Sequence, residues 1–109
     1  MVKAEAERRR LIEQIKEFKK ANRVERMIIF GSLATGSFTK DSDIDIIVVD
    51  RKFSGQDRLE RGKGFWVSWH KKHKIPRPVD FLFYSPEEFR RQSGKVSIVS
   101  EAIREGIEV

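Results

Sequence analysis

The sequence contains no cysteine among its 109 residues, so disulfide bonds, thiolate metal sites and cysteine nucleophiles are all excluded. It also lacks long apolar runs: none exceeds four residues, as in Met27–Phe30, and no membrane span is expected. The opening stretch MVKAEAERRR has no apolar core of the kind that a signal peptide requires. These absences together favour a soluble protein of the cytoplasm.

The chain is rich in charge. Charged residues make up 37% of it and hydrophobic residues 39%, and the net charge is +6. That charge fits an anionic partner, such as a nucleotide, a nucleic acid or an acidic protein, and equally fits a basic surface in solvent. A chain of this length is expected to form one domain, over residues 1–109. The Lys-, Glu- and Arg-rich composition is also compatible with a thermophilic source.

Hydrophobic periodicity and turn residues divide the chain into helices and strands. An amphipathic helix is expected over 4–21, and its apolar face carries Leu11, Ile12, Ile15 and Phe18. Strands are expected at Arg26–Phe30, Asp43–Val49 and Val79–Tyr84, and further helices at 57–73, after a Ser85-to-Glu88 capping box, and at 96–104. This order predicts an α/β (α+β) fold, in which a small mixed β-sheet is flanked by helices.

Aspartates interrupt two of the apolar strands. Because side chains alternate along a strand, Asp43 and Asp45 face the same side, opposite Ile44 and Ile46. Carboxylates are costly among apolar residues unless they are hydrogen-bonded, paired or bound to a cation. Asp80 interrupts the third strand in the same way, and it joins the other two if that strand lies next to the second. The pattern predicts a three-carboxylate site.

The Gly31-Ser32 pair directly follows the first strand. A glycine there lets another group approach the backbone, and the amides of the next turn can hold phosphate oxygens together with the Ser32 hydroxyl. Co-facial carboxylates supply oxygen ligands for Mg²⁺, which proteins bind through carboxylates and substrate phosphates. We therefore expect phosphoryl or nucleotidyl transfer, in which Asp80 holds a metal and draws the proton from the attacking hydroxyl.

Other interpretations of these motifs fit less well. The stretch that begins at Asp41 opens like a calcium loop, but Ile46 and Lys52 stand where that loop needs glycine and a bidentate glutamate. Gly31 and Gly36 match neither a P-loop nor a dinucleotide-binding fingerprint. Asp41 itself is expected to be a turn residue.

Three further groups of residues are candidates for binding. His70 and His73 share one helix face and are expected at the surface rather than at a metal. The aromatic residues Phe65, Trp66 and Trp69 could stack a nucleobase, although core packing is favoured. A basic run near the third strand forms either a solvated loop or a surface that steers an anionic substrate or partner; its members are Lys71, Lys72, Lys74 and Arg77.

Gly31-Ser32, ten residues and then Asp43-Ile44-Asp45 resembles the signature of the DNA polymerase β-like nucleotidyltransferase superfamily, and Asp80 matches its third carboxylate. The resemblance runs from about Arg26 to the C-terminus and implies the polymerase β-like nucleotidyltransferase fold. The short length is similar to that of the minimal nucleotidyltransferase (MNT) group, whose members often accompany a HEPN-domain toxin as its antitoxin.

The resemblance also implies roles for these residues. Asp43 and Asp45 would bind two Mg²⁺ ions, Asp80 would ligate one of them and act as the base, and Gly31-Ser32 would contact the triphosphate of ATP. The implied reaction transfers AMP to a hydroxyl and, in antitoxin-type members, to a tyrosine of the partner HEPN ribonuclease. The loop departs from many minimal members, since Leu33 and Thr35 stand where those members carry basic residues.

Two rival functions stay open. One is a non-catalytic module that neutralises its partner by direct contact, and the other is a transferase that acts on RNA or on a small molecule. Nucleic acid is the less favoured partner. The sequence does not determine the acceptor, the nucleobase preference or the oligomeric state.

Overall fold

The computed structural model describes the backbone of residues 2–109 and the side chains of residues 5–109. Met1, which the expected domain includes, lies outside the described residues. The helices are α1 (Val2–Ala21), α2 (Ser32–Thr35), α3 (Arg58–Arg61), α4 (Phe65–Val67), α5 (Pro86–Ser93) and α6 (Ile98–Glu105). The strands are β1 (Arg26–Phe30), β2 (Ile44–Val49), β3 (Val79–Tyr84) and β4 (Ile107–Glu108). Among residues 2–109, none of the helices combines the length and the hydropathy that a membrane span requires.

The four strands form one mixed sheet in the order β3-β2-β1-β4. β1 pairs antiparallel with β2 and with β4, whereas β3 lies parallel to β2. Parallel neighbours need a crossover connection, and α3, α4 and a π-helical stretch at Ser68–Lys72 lie within it. The predicted α/β (α+β) class, a small mixed sheet flanked by helices, is confirmed.

Alternation along β2 divides the core between the two faces of the sheet. On one face the sheet packs against α1, and β2 contributes Ile44, Ile46 and Val48. On the other face it packs against α5 and α6, and β2 contributes Ile47 and Val49. Asp45 belongs by alternation to this second face and lies near the start of the strand, where it is half-buried.

The helix expected over 57–73 is interrupted. Gly62 ends α3, and Gly64 adopts φ +87°, a left-handed conformation that favours glycine and stops a helix. Two element boundaries also shift: β2 begins at Ile44 rather than Asp43, and α6 begins at Ile98 because the capping box of Ser97 starts it there. The helix expected over 4–21 is confirmed and begins at Val2.

The fourth strand, β4, is not among the strands expected from the sequence. Its two residues, Ile107 and Glu108, pair with Ile29 and Ile28 of β1 and cover that edge of the sheet. Two residues are too few to show a period-two pattern, and the pairing depends on α6 returning the chain to β1. This strand is therefore a consequence of tertiary structure.

Candidate active site

Asp45 and Asp80 lie side by side in the sheet. They are register partners in the parallel β2–β3 pair, so that both side chains point to the same face. Asp43 immediately precedes β2, and its charge also acts on Asp45. The structure thus brings the three predicted carboxylates together, while their chemical roles stay predictions.

Burial and neighbouring negative charge both act on Asp45. The pKa of Asp45 is raised above its ordinary value, first because burial disfavours the charged form, and then because Asp80 and Asp43 repel it. Of the three aspartates, Asp45 is half-buried, whereas Asp43 and Asp80 are exposed. Asp80 lies on β3, which is an edge strand of the sheet. A cation is the ligand that such a concentration of negative charge favours.

Gly31 connects β1 to this group. Its backbone has φ +73° and ψ −152°, a region that is essentially restricted to glycine. A Cβ placed on Gly31 would lie 2.5 Å from Oδ2 of Asp45, well inside van der Waals contact. Glycine is therefore required twice, once by the dihedral angles and once by the carboxylate that lies against the backbone.

The single turn of α2 begins beside the carboxylates. The first amides of a helix have no intrahelical acceptor, and in α2 they follow directly on Gly31. At the other end of α2, the guanidinium of Arg8 in α1 donates to the carbonyl oxygens of Leu33 (2.7 Å) and Ala34 (3.0 Å). The turn therefore presents its amides near Asp45, and its carbonyls are bound to α1.

Arg77 lies near the site, and its burial is not predicted from the sequence. It belongs to the predicted basic run, but it is only 9% exposed. Its guanidinium donates to the carbonyl oxygens of Thr39 (2.6 Å) and Ser42 (3.1 Å) and to the Glu7 carboxylate (3.1 Å). The lysines of the same run are all exposed: Lys71, Lys72 and Lys74. No sequence signal separates Arg77 from them, because its burial depends on contacts with distant segments.

The expected surface position is confirmed for His70 but not for His73, which is half-buried. His70 is exposed, and the ring of His73 packs edge-on against Phe18 with 5.4 Å between centroids. Across the residues that the structure describes, no group of three His, Cys, Asp or Glu side chains has the geometry to hold a metal ion. A metal at the aspartates therefore requires oxygen ligands from a substrate or an adjustment of the carboxylates, as is usual for Mg²⁺.

The aromatic candidates divide between core and surface. Phe65 and Trp69 are 6% and 0% exposed, so the expected core packing is confirmed for both. Trp66 is 42% exposed, and its indole N–H donates to the carbonyl oxygen of Val79 at 3.4 Å, next to Asp80.

A cleft of about 550 Å³ lies away from the aspartates. It is lined in part by Arg26, Val49, Phe89 and Arg90, and none of the three aspartates lines it.

Comparison with known proteins agrees with this geometry. A family model described as "Nucleotidyltransferase domain" matches residues 8–105. A protein of Methanocaldococcus jannaschii named "Putative protein adenylyltransferase" is 40% identical over 45 residues, which are 36% of this chain and 46% of that protein. The matched stretch thus spans less than half the length of that relative.

A solved structure gives the same result. The crystal structure of a "putative nucleotidyltransferase" from Sulfolobus solfataricus superposes with a TM-score of 0.57 at 26% identity, and covers 81% of this chain and 78% of that one. Sequence family and three-dimensional fold therefore agree. Because the family model matches nearly the whole chain, this protein belongs to the nucleotidyltransferase domain family.

Proposed function

We propose that this protein is an Mg²⁺-dependent adenylyltransferase, which transfers AMP from ATP to a hydroxyl of an acceptor protein. The observation that carries the proposal is the meeting of Asp43, Asp45 and Asp80 beside the turn at Gly31-Ser32. Transfer of a phosphoryl or nucleotidyl group requires that the protein positions the substrates and neutralises their charge, and it requires little covalent chemistry from the protein. Carboxylates and free amides in one place suit both needs.

The three carboxylates are the groups that would hold metal. Asp43 and Asp45 would bind two Mg²⁺ ions, and Asp80 would share one of them. The donor set fits, because Mg²⁺ takes oxygen ligands from carboxylates and substrate phosphates. The raised pKa of Asp45 supports the assignment, since burial and then the neighbouring charges disfavour its charged form, and a bound cation would favour it. Bound Mg²⁺ would neutralise charge on the phosphates.

The protein's own groups would bind the triphosphate and move one proton. The amides at the start of α2 and the hydroxyl of Ser32 would hold the phosphate oxygens. Asp80, exposed on the edge strand, would accept the proton of the attacking hydroxyl. The hydroxyl oxygen bonds to the α-phosphorus, the bond from that phosphorus to the bridging oxygen breaks, and pyrophosphate leaves.

A tyrosine of a HEPN-domain toxin is the acceptor that we propose. Two observations support a protein acceptor: the name of the M. jannaschii relative refers to protein adenylylation, and Asp80 lies at an exposed edge that another protein can reach. Modification of the toxin would make this chain its antitoxin. Both proteins would then act in the cytoplasm.

Labelled ATP, Mg²⁺ and a HEPN protein from the same genome test the proposal. We expect label on a tyrosine, and Asp43→Asn or Asp45→Asn should lower transfer by about 100-fold or more, because charge stabilisation worth several kcal/mol is lost. Asp41→Asn is the matched control, since this neighbouring aspartate is exposed in the preceding turn. It should transfer AMP at the wild-type rate.

Stability separates a chemical defect from a folding defect in this experiment. Asp45→Asn should unfold at the same or a higher urea concentration than wild type without metal, because it removes a charge that burial and its neighbours disfavour. Chelation of Mg²⁺ should abolish transfer by the wild-type protein. Failure of wild type to label any acceptor, or full activity of Asp43→Asn, would refute the enzymatic proposal.

One observation favours a second candidate function, a transferase that acts on RNA. The net charge is +6, and Lys71, Lys72 and Lys74 are all exposed, as an anionic acceptor would require. RNA binding that weakens steeply with salt, together with labelled RNA, would support it.

Inhibition by contact alone has its own test. A double variant, Asp43→Asn with Asp45→Asn, that still silences the toxin would indicate that the protein acts without catalysis.

A further inference from the structure

The burial of Arg77 needs an explanation that stability alone does not provide. A guanidinium loses much hydration when it is buried, and replacing such ion pairs by apolar side chains is often neutral or stabilising. Arg77 is 9% exposed, yet its Nε atom has no partner among the described residues. An arginine kept for stability would be expected to satisfy all of its donors.

The hydrogen bonds of Arg77 join three separate segments of the chain. One terminal nitrogen donates to the carbonyl oxygens of Thr39 (2.6 Å) and Ser42 (3.1 Å), and the other donates to Glu7 of α1 (3.1 Å). The guanidinium also lies over the ring of Phe38, 4.2 Å from its centroid. Arg77 thus contacts the connection between α2 and β2 in two ways, through the ring of Phe38 and through two backbone carbonyl oxygens.

Arg77 itself has a fixed backbone. The indole N–H of Trp69, a side chain with no exposed surface, donates to the carbonyl oxygen of Arg77 at 2.9 Å. Directly after Arg77, the carbonyl oxygen of Pro78 accepts the amide of Ile44 at 3.0 Å. The guanidinium therefore reaches the loop from an anchored point rather than from a mobile one.

The contacts of Arg77 lie next to two of the three carboxylates. Ser42, whose carbonyl it binds, is the residue before Asp43, and Arg77 itself stands three residues before Asp80. Its side chain makes no hydrogen bond to any of the three aspartates. We therefore expect it to act on the site through the position of the strand ends that carry them.

We propose that Arg77 is a positioning residue, which sets the spacing between Asp43 and Asp80 by fixing the loop before β2 to the turn before β3. The inference depends on the function proposed above, because spacing matters only if these carboxylates act together. Displacement of a reacting or metal-binding group by about 1 Å can cost 10²-fold in rate.

The structure predicts which kinetic constant changes. The turn at Gly31-Ser32, which would bind the triphosphate, is held by Arg8 rather than by Arg77. Arg77→Gln should therefore lower kcat for AMP transfer by about 30- to 100-fold. The KM for ATP should stay within about threefold of wild type, because the contacts that bind the triphosphate in both the ground state and the transition state are unchanged in this variant.

Arg61 supplies a matched control. It is 7% exposed, and like Arg77 it donates to two carbonyl oxygens, of Gln56 (3.0 Å) and Phe83 (3.2 Å), and to one glutamate, Glu88. Phe83 lies towards the far end of β3 from Asp80. Arg61→Gln should destabilise the protein at least as much as Arg77→Gln, but leave kcat within about twofold at equal fraction folded.

Arg77→Lys covers the case in which Arg77→Gln does not fold. A single ammonium cannot reproduce the fork that reaches both the loop carbonyls and Glu7. We expect this variant to recover most of the stability while kcat stays at least about tenfold below wild type. Equal losses of kcat in the Arg77 and Arg61 variants, or full activity of Arg77→Lys, would overturn the inference.

A measurement without substrate keeps this inference separate from the proposed function. In the wild-type loop the amide of Ser42 donates to the carbonyl oxygen of Thr39 at 3.1 Å. Exchange of this amide, followed by NMR, should be at least about tenfold faster in Arg77→Gln and unchanged in Arg61→Gln. If wild type transfers no AMP, the proposed function fails, and unchanged exchange at Ser42 would overturn the positioning role in its own right.

Discussion

At the scale of single residues, the contact between Gly31 and Asp45 couples backbone conformation to the charge of the site. The carboxylate occupies the space that any Cβ would take. The same residue has dihedral angles that side chains avoid. A substitution there must therefore move either the strand end or the carboxylate.

Gly31→Ala should show both effects. Strained dihedrals cost about 1–3 kcal/mol, and the displaced Asp45 carboxylate should reduce AMP transfer by about 100-fold. Urea denaturation and the transfer assay measure the two quantities.

Gly36→Ala is the control for backbone strain. Gly36 also has a positive φ, +92°, but a Cβ there meets nothing within 4 Å. It should lose about 1–2 kcal/mol of stability and keep its activity. Wild-type activity in Gly31→Ala would show that the contact with Asp45 does not matter for the reaction.

At the scale of elements, the start of α5 combines a local signal with a distant one. The capping box between Ser85 and Glu88 is predicted from sequence and is present. The Glu88 carboxylate also accepts hydrogen bonds from both terminal nitrogens of Arg61 in α3, at 2.5 and 2.9 Å. This ion pair ties the crossover connection to the helix that follows β3.

The pair predicts a loss of stability in acid. The hydrogen bonds from Arg61 lower the pKa of Glu88 from 4.5 to about 2. Because the folded pKa lies below the unfolded one, the stabilisation is complete above about pH 5 and is lost as the pH falls towards 2. Because solvent screens this partly exposed pair, we expect the stability lost between pH 5 and pH 2 to be about 1–2 kcal/mol.

Urea denaturation between pH 6 and pH 2 measures this change. The variant Glu88→Gln should be less stable than wild type at pH 6, and the difference should shrink as the pH falls. A difference that stays constant over this range would contradict the assignment to Glu88.

At the scale of the whole molecule, α1 supports both the core and the site. Phe18 has no exposed surface and packs against the rings of Phe65, Trp69 and Phe81. Two turns or more earlier in the same helix, Arg8 donates to carbonyl oxygens of α2, and Glu7 contacts the loop before β2 through Arg77. Loss of α1 packing should therefore affect stability and site geometry together.

Phe18→Ala should cost about 3–5 kcal/mol, because it leaves a cavity among rings that cannot close around it. Leu59→Ala is the control, since Leu59 is 92% exposed and should change stability by less than about 0.5 kcal/mol. Thermal and urea denaturation measure both variants. A loss below 1 kcal/mol for Phe18→Ala would show that α1 packs less tightly than its burial indicates.

Much of this protein can be read from local patterns. The periodicity around Leu11 and Ile15 predicts α1, and alternation along Ile44–Val49 predicts which side chains share a face. The roles predicted for the aspartates, the Mg²⁺ ions and the HEPN partner stay predictions, as does a single domain over 1–109. What local patterns miss depends on segments distant in sequence: β4 and the burial of Arg77.

By itself, the sequence determined the fold class, the family and the candidate carboxylates, because hydrophobic period and the spacing of Gly31-Ser32 from Asp43 and Asp45 are properties of neighbouring residues. Only the tertiary structure decided that β3 lies parallel to β2, which places Asp80 beside Asp45. It alone distinguished Arg77 from the exposed lysines of the same basic run. Register and burial arise from contacts between distant segments, and no pattern within one segment records them.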